Sequence, residues 1–270
     1  RKEIKDYQTE LAFAQDDDAA KLVQYWGDDV DFCFTGVQSE LEFIAWALAS
    51  NAGRLAFTTT NNATYANEFD LDYDVDDFQK QKTASDWANS TSADILGDLK
   101  KLVKLAKDNN LNPKFAFINL EELYHICSAE QIIKACASFL ANAVGISQTP
   151  DLTAVNAMLA KQAWLNGLQL RVIDQTITRE FTDGTSTSGN PFENRRLILA
   201  ESERLGTTQY DVLQENNELI LRAERAHTIV KKYGTTEPLS EVTIGQADAV
   251  PVFDTAYRNL YVRTDAQDWT

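Results

Sequence analysis

Apolar and polar positions recur along this chain with two different periods. Residues 68–78 read EFDLDYDVDDF, with a carboxylate at every second position beside Phe69, Leu71, Tyr73 and Val75. A repeat of two sends alternate side chains to opposite faces, so the segment predicts one strand with an apolar and an acidic face. The preceding RLAFT at 54–58 predicts its partner strand, and the polar TTTNNAT at 59–64 the tip of a long hairpin. Upstream, Val37, Leu41, Ile44, Trp46 and Leu48 predict a helix over 37–49 that is buried on more than one side. Asn51-Ala52-Gly53 ends it, because Asn and Gly suit the left-handed conformation that closes helices. Residues 1–31 are polar, carry the run Asp16-Asp17-Asp18 and only a weak helical pattern, and predict an arm that needs neighbours.

Downstream of Trp87, Thr91 and Asp94 have the spacing of a helix start. Ile95, Leu99, Leu102, Val103 and Ala106 continue the helical period up to Asn109-Asn110, and Lys100, Lys104 and Lys107 form a basic stripe on the other side. The middle alternates: a strand at 114–119, helices at 121–127, 130–144 and 152–165, a strand at 168–173 after Asn166-Gly167, and an extended 175–181. A flexible tip is expected at 183–191, a strand at 196–200, and short extended segments at 224–232, 241–244, 249–253 and 259–263. These elements predict a mixed α+β fold with a projecting hairpin.

Composition narrows the function classes. With 270 residues, 44% of them hydrophobic, the chain can bury a sizeable core. Its 25 Lys+Arg against 41 Asp+Glu give a net charge of −16, the wrong sign for gripping nucleic acid through phosphates. It has no apolar run of the length that crosses a membrane as a helix. Cys33, Cys127 and Cys136 are an odd, scattered set that reads as reduced thiols. The triplets Asn62-Ala63-Thr64 and Asn89-Ser90-Thr91 match a glycosylation pattern that is common by chance. The chain opens on Arg1 with Met158 its only methionine, which suggests a processed form or a fragment.

Several chemical constellations can be weighed. His125, Cys127 and Cys136 could be part of a zinc site, but a fourth ligand is lacking and both cysteines sit in apolar helical contexts. Gly184 to Gly189 have phosphate-loop spacing, yet Asn190-Pro191 stands where Lys-Ser/Thr is required. Glu121 and Glu122 could supply an acid and a base, as any acidic sequence offers by chance. Asp70, Asp72, Asp74 and Asp76 imitate a calcium loop, but the intervening Phe, Leu, Tyr and Val keep the backbone extended and the required glycine is missing. No nucleophile motif accompanies either histidine. The aspartate row is then either a solvated strand face or a docking edge.

The order of parts resembles a family. The run ALASNAGRLAFT at 47–58, the acidic hairpin, Trp87 with ADILGDL at 93–99, NPKFAFIN at 112–119 and AVPVFD at 249–254 together resemble the major capsid proteins of tailed bacteriophages, especially the lambda-like branch. The resemblance covers most of the chain from about Val37 onward.

It implies an α+β capsid fold of the Hong Kong ninety-seven type. Carried over by position, residues 1–53 would be the N-terminal arm and its helix, and 54–86 the extended loop. Residues 87–112 and 220–257 would form the peripheral domain with its spine helix, and 113–219 with 258–270 the axial domain. The family forms hexamers and pentamers that close into an icosahedral shell around double-stranded DNA, assembled in the bacterial cytoplasm. The resemblance thus implies a structural protein and not an enzyme; no cofactor, metal or membrane is expected, and no crosslink, since no Lys–Asn pair of the kind some family members join can be aligned here. Its partners would be copies of itself, a scaffold, a portal and a decoration protein. Asp70, Asp72, Asp74 and Asp76 would then face a neighbour's Lys100, Lys104 and Lys107. The rival expectations are a carboxylate-based hydrolase using Glu121 or Glu122, and a calcium-dependent binding module.

Overall fold

A computed structural model describes residues 18–57, 69–139, 149–180, 185–211, 221–225, 227–236 and 239–269. They divide into two compact units, drawn from Arg1–Leu41 with Gln209–Val250 and from Glu42–Thr208 with Pro251–Thr270.

The larger unit is built on a five-stranded mixed sheet in the order β3 (Lys80–Lys82), β13 (Leu260–Arg263), β8 (Arg196–Ala200), β4 (Phe115–Asn119), β5 (Gln169–Ile173). β13 runs parallel to β3 and antiparallel to β8, while β4 runs antiparallel to β8 and parallel to β5. Both faces are covered, which is why the central strands β4, β8 and β13 read as nearly continuous apolar runs. Ala116, Ile118, Leu197, Leu199, Leu260 and Val262 point into one apolar cluster, and Phe117, Ile198, Ala200 and Tyr261 into a second on the opposite face. The first cluster is filled by α2 (Ile95–Asp108), α3 (Leu120–Ser128), α4 (Glu130–Phe139) and α5 (Leu152–Lys161). The second is closed by Leu48 and Ala49 at the end of α1 (Asp18–Ser50), by Phe192 and by Phe253. Fully burying each such large side chain contributes roughly 1.5–3 kcal/mol.

The hairpin also belongs to this unit: β1 (Arg54–Phe57) pairs antiparallel with β2 (Phe69–Asp72), Arg54 opposite Asp72 and Ala56 opposite Asp70. Its Leu55, Leu71 and Tyr73 pack on the second cluster. A second hairpin joins β6 (Ile177–Glu180) to β7 (Ser186–Gly189).

The smaller unit sets α1 up to Leu41 on a four-stranded sheet, β10 (Leu221–Arg225), β11 (Thr228–Thr236), β12 (Leu239–Val252) and β9 (Thr207–Asp211). Helix and sheet meet closely at Gly245, where an added Cβ would lie 2.6 Å from the Cys33 carbonyl oxygen. Asp29 on the helix pairs with the buried Lys232 on β11 at 3.9 Å.

Several expectations change. The helix expected over 37–49 is the end of a longer one that begins at Asp18; its stop is as expected, with Ala52 at φ 53°, Gly53 at φ 77° and Gly53 N–H bonded to Leu48 O at 2.9 Å. The N-cap of α2 is Asp94, whose side chain accepts from Gly97 N–H, not Thr91. β12 is one long strand, Leu239–Val252, where shorter pieces at 241–244 and 249–253 were expected. Residues 186–189 of the expected flexible tip form β7.

The compact units also do not follow the expected boundaries. Ile95, Leu99, Leu102 and Ala106 of α2 share one core with Ala116, Ile118 and Leu197, so no unit boundary falls at 112/113. The strands from β10 to β12 group instead with the first part of α1. Residues 1–17 of the expected arm, the hairpin tip at 58–68, residues 140–148 and residues 181–184 lie outside the described residues.

Candidate functional site

The aspartate row is the first candidate. The strand expected over 68–78 ends at Asp72, because the Asp72 carboxylate accepts the Asp74 N–H at 2.8 Å and Asp74 adopts φ 48°. The alternation outlives the strand: Asp70, Asp72, Asp74 and Asp76 are exposed, while Leu71 and Tyr73 are half-buried and Val75 is buried. Arg54, directly across the hairpin from Asp72, pairs with Asp70 at 2.8 Å and approaches Asp72 at 3.9 Å. Arg54 therefore offsets one of the four charges within its own hairpin, and Asp74 and Asp76 extend from it into solvent.

Beside the row runs a groove of about 770 Å³ whose walls include Arg54, Asp72, Lys80, Lys82, Asp268 and Trp269. Its floor is β3, the edge strand of the sheet. Trp269 Nε1–H donates to Gln81 O at 2.8 Å and Lys82 pairs with Asp268 at 2.8 Å, so the C-terminal residues cover part of that edge. None of this was visible in the sequence, since β3 and the 260–269 segment meet only through parallel pairing across the whole chain.

Lys100, Lys104 and Lys107 lie exposed along α2, as their spacing requires, and the Lys100 ammonium sits 5.9 Å from the Trp164 ring centroid. Among the described residues no ion pair joins these lysines to the aspartate row within one chain.

The second candidate is a buried ionic cluster. Glu122, in the first turn of α3, is fully buried, and its Oε2 lies 3.4 Å from His125 Nδ1 and 3.9 Å from Arg195 Nη1. Arg195 Nη1 is 3.0 Å from the same His125 Nδ1, and its Nη2 reaches Asp86 and, at 3.4 Å, Thr264 O. Burial holds the Glu122 carboxyl above the ordinary carboxylate range, with His125 working in the opposite direction. The Thr264 hydroxyl acts on it as a nearby donor, yet neither Glu122 Oε1 nor Thr264 Oγ1 completes a hydrogen bond. Sequence reading singled out Glu122 and His125 but not Arg195 or Asp86, which arrive from segments far away in the chain.

The other candidates separate. Cys127 and Cys136 are buried thiols, Cys127 pushed up to about 11 chiefly by desolvation, whereas His125 turns to Arg195 and Glu122. Among the described residues no group of three His, Cys, Asp or Glu converges as a metal site. Gly189 of the glycine-spaced stretch ends strand β7, and Gly184 lies outside the described residues.

Sheet, helices and hairpin define a two-unit α+β protein with an acidic row on one hairpin and a basic stripe on one helix. No protein-family model matches the chain, and no curated protein matches it in sequence. Solved structures do resemble it. A protein assigned as the capsid protein of a prophage in Escherichia coli CFT073 matches with a TM-score of 0.57 at 13% identity, over 87% of this chain and 65% of that one. A phage-related protein from Bordetella bronchiseptica RB50 gives 0.45 at 12% identity, over 73% and 58%. The first likeness shows that this chain shares the fold of that prophage protein. The chain spans less than two thirds of the length of both proteins.

Proposed function

We propose that this chain is a major capsid subunit of a tailed double-stranded DNA bacteriophage, with the Hong Kong ninety-seven type of fold and nearest the lambda-like branch. Its activity is self-assembly into hexamers and pentamers of an icosahedral shell. The observation that carries this reading is the fold shared with the prophage protein over 87% of the chain. The net charge of −16 suits a container wall, which must enclose DNA without gripping it. The chain works as a structural protein in the virion, put together in the host cytoplasm with scaffold and portal proteins and, on the finished shell, a decoration protein.

In this reading residues 54–86 reach a neighbouring copy. Asp74 and Asp76, left to solvent within one chain, meet the neighbour's Lys100, Lys104 and Lys107. Exposed pairs contribute only about 0–1 kcal/mol each, so they select register over many copies more than they bind.

Electron microscopy with light-scattering mass, across concentration and ionic strength and with co-expressed scaffold candidates, tests the proposal. Rings, sheets or closed shells are expected. A monomer under every condition, scaffold included, would refute it.

A further inference from the structure

The ionic cluster around His125 holds an arrangement that the capsid reading does not use. Arg195, itself at φ 62°, touches three segments: α3 through His125, the stretch after β3 through Asp86, and the end of β13 through Thr264. Its backbone carbonyl also accepts the Thr264 N–H at 3.1 Å, and the Thr264 carbonyl accepts the Trp87 N–H at 3.0 Å. Loosening Arg195 therefore loosens a joint between segments far apart in sequence.

A guanidinium carries donors only, so at 3.0 Å the His125 Nδ1 must accept from Arg195 and the ring proton must sit on Nε2. The same Nδ1 lies 3.4 Å from Glu122 Oε2, an oxygen it can reach as a donor only when it is protonated. With no proton on Glu122 Oε2 the two contacts exclude each other: Nδ1 accepts from Arg195, or it carries a proton and donates to Glu122. We propose that His125 is a proton-operated latch, holding Arg195 against α3 while neutral and releasing Nη1 in favour of Glu122 once protonated.

The surroundings suit a two-position device. Glu122 and Glu121 stand on the histidine's own helix; Arg195, held by Asp86 and acted on by Asp265, faces it from the other segments. His125 is 22% exposed, so protons reach it from solvent, while the Glu122 side chain is 0% exposed and keeps one oxygen unpartnered. The inference holds whether or not the chain assembles.

Nitrogen-15 NMR of the imidazoles in the full chain, in solution or on assembled particles, tests it directly. The chain has two histidines, so the His227→Gln variant assigns His125. At about pH 7.5 a neutral ring protonated on Nε2 is expected; a ring protonated on Nδ1, or an imidazolium, would overturn the proposal. On acidification, the Trp87 and Thr264 amides should exchange about tenfold faster than their intrinsic chemistry accounts for. His125→Gln should abolish that acid response, and an unchanged response would equally overturn it. Should this variant not fold, the ring tautomer in the unsubstituted chain decides alone.

Discussion

The Trp87 indole N–H donates to Asp98 Oδ2 at 3.1 Å, and both side chains are buried, at 0% and 3% exposure. The other Asp98 oxygen accepts the Ala84 N–H at 3.3 Å and lies 4.0 Å from the Lys101 ammonium. One carboxylate on α2 thus satisfies two donors from the segment that follows β3. Asp98→Ala should strand both and cost about 1–3 kcal/mol, read as a lower denaturant midpoint with unchanged slope. Asp98→Asn, which keeps an acceptor for the indole, should cost less.

Glu122 makes stability depend on pH. Its carboxyl is held above the ordinary range by burial, so the folded chain keeps a proton that the unfolded chain has released. The contribution is full below the unfolded value of about 4.3 and is lost as pH rises through the raised folded value. Glu122→Gln cannot titrate, so thermal denaturation of the variant should lose this decline. A profile parallel to that of the unsubstituted chain would contradict the assignment.

Gly53 ends α1 at φ 77°, where an added Cβ would also come within 3.1 Å of the Tyr73 Cβ. Gly53→Ala should destabilise the chain by about 1 kcal/mol or more, since it meets the left-handed penalty and a side chain anchored on the second cluster. Gly167 has a similar φ of 72° with nothing near its Cβ position. Gly167→Ala should therefore cost less, and equilibrium unfolding of the two variants separates steric contact from backbone strain.

Cys127, pushed up to about 11, and Cys136, raised by the same desolvation, carry little thiolate at neutral pH. Both should resist a thiol reagent while the chain is folded and react on unfolding. Mass spectrometry of modified peptides along a urea series gives the comparison.

Lys100, Lys104 and Lys107 are exposed on α2, so changing all three to Glu should leave the melting temperature of the single chain nearly unchanged while impairing assembly. Particles of normal size and yield from that variant would remove the aspartate–lysine pairing from the interface.

What the sequence determined by itself is the local part of the fold. A period of two at Asp70, Asp72, Asp74 and Asp76 foretold which side chains face solvent, even beyond the point where the ladder ends. The spacing of Ile95, Leu99 and Leu102 foretold α2 and its buried face, and Asn51-Ala52-Gly53 foretold the end of α1. Each is a matter of backbone geometry within a few residues, which neighbouring side chains encode directly. Only the tertiary structure decided how these elements pair. FAFIN, RLILA and LYVR are apolar at nearly every position, and such runs specify burial on both faces without specifying a partner strand or a direction. The same applies to charge: Arg54 is drawn to Asp70 by hairpin register, and Arg195 to Glu122, His125 and Asp86 by the meeting of three distant segments. Coulomb and hydrogen-bond energies act over a few ångströms in space, so positions dozens of residues apart in sequence carry no local signal of the contact they make.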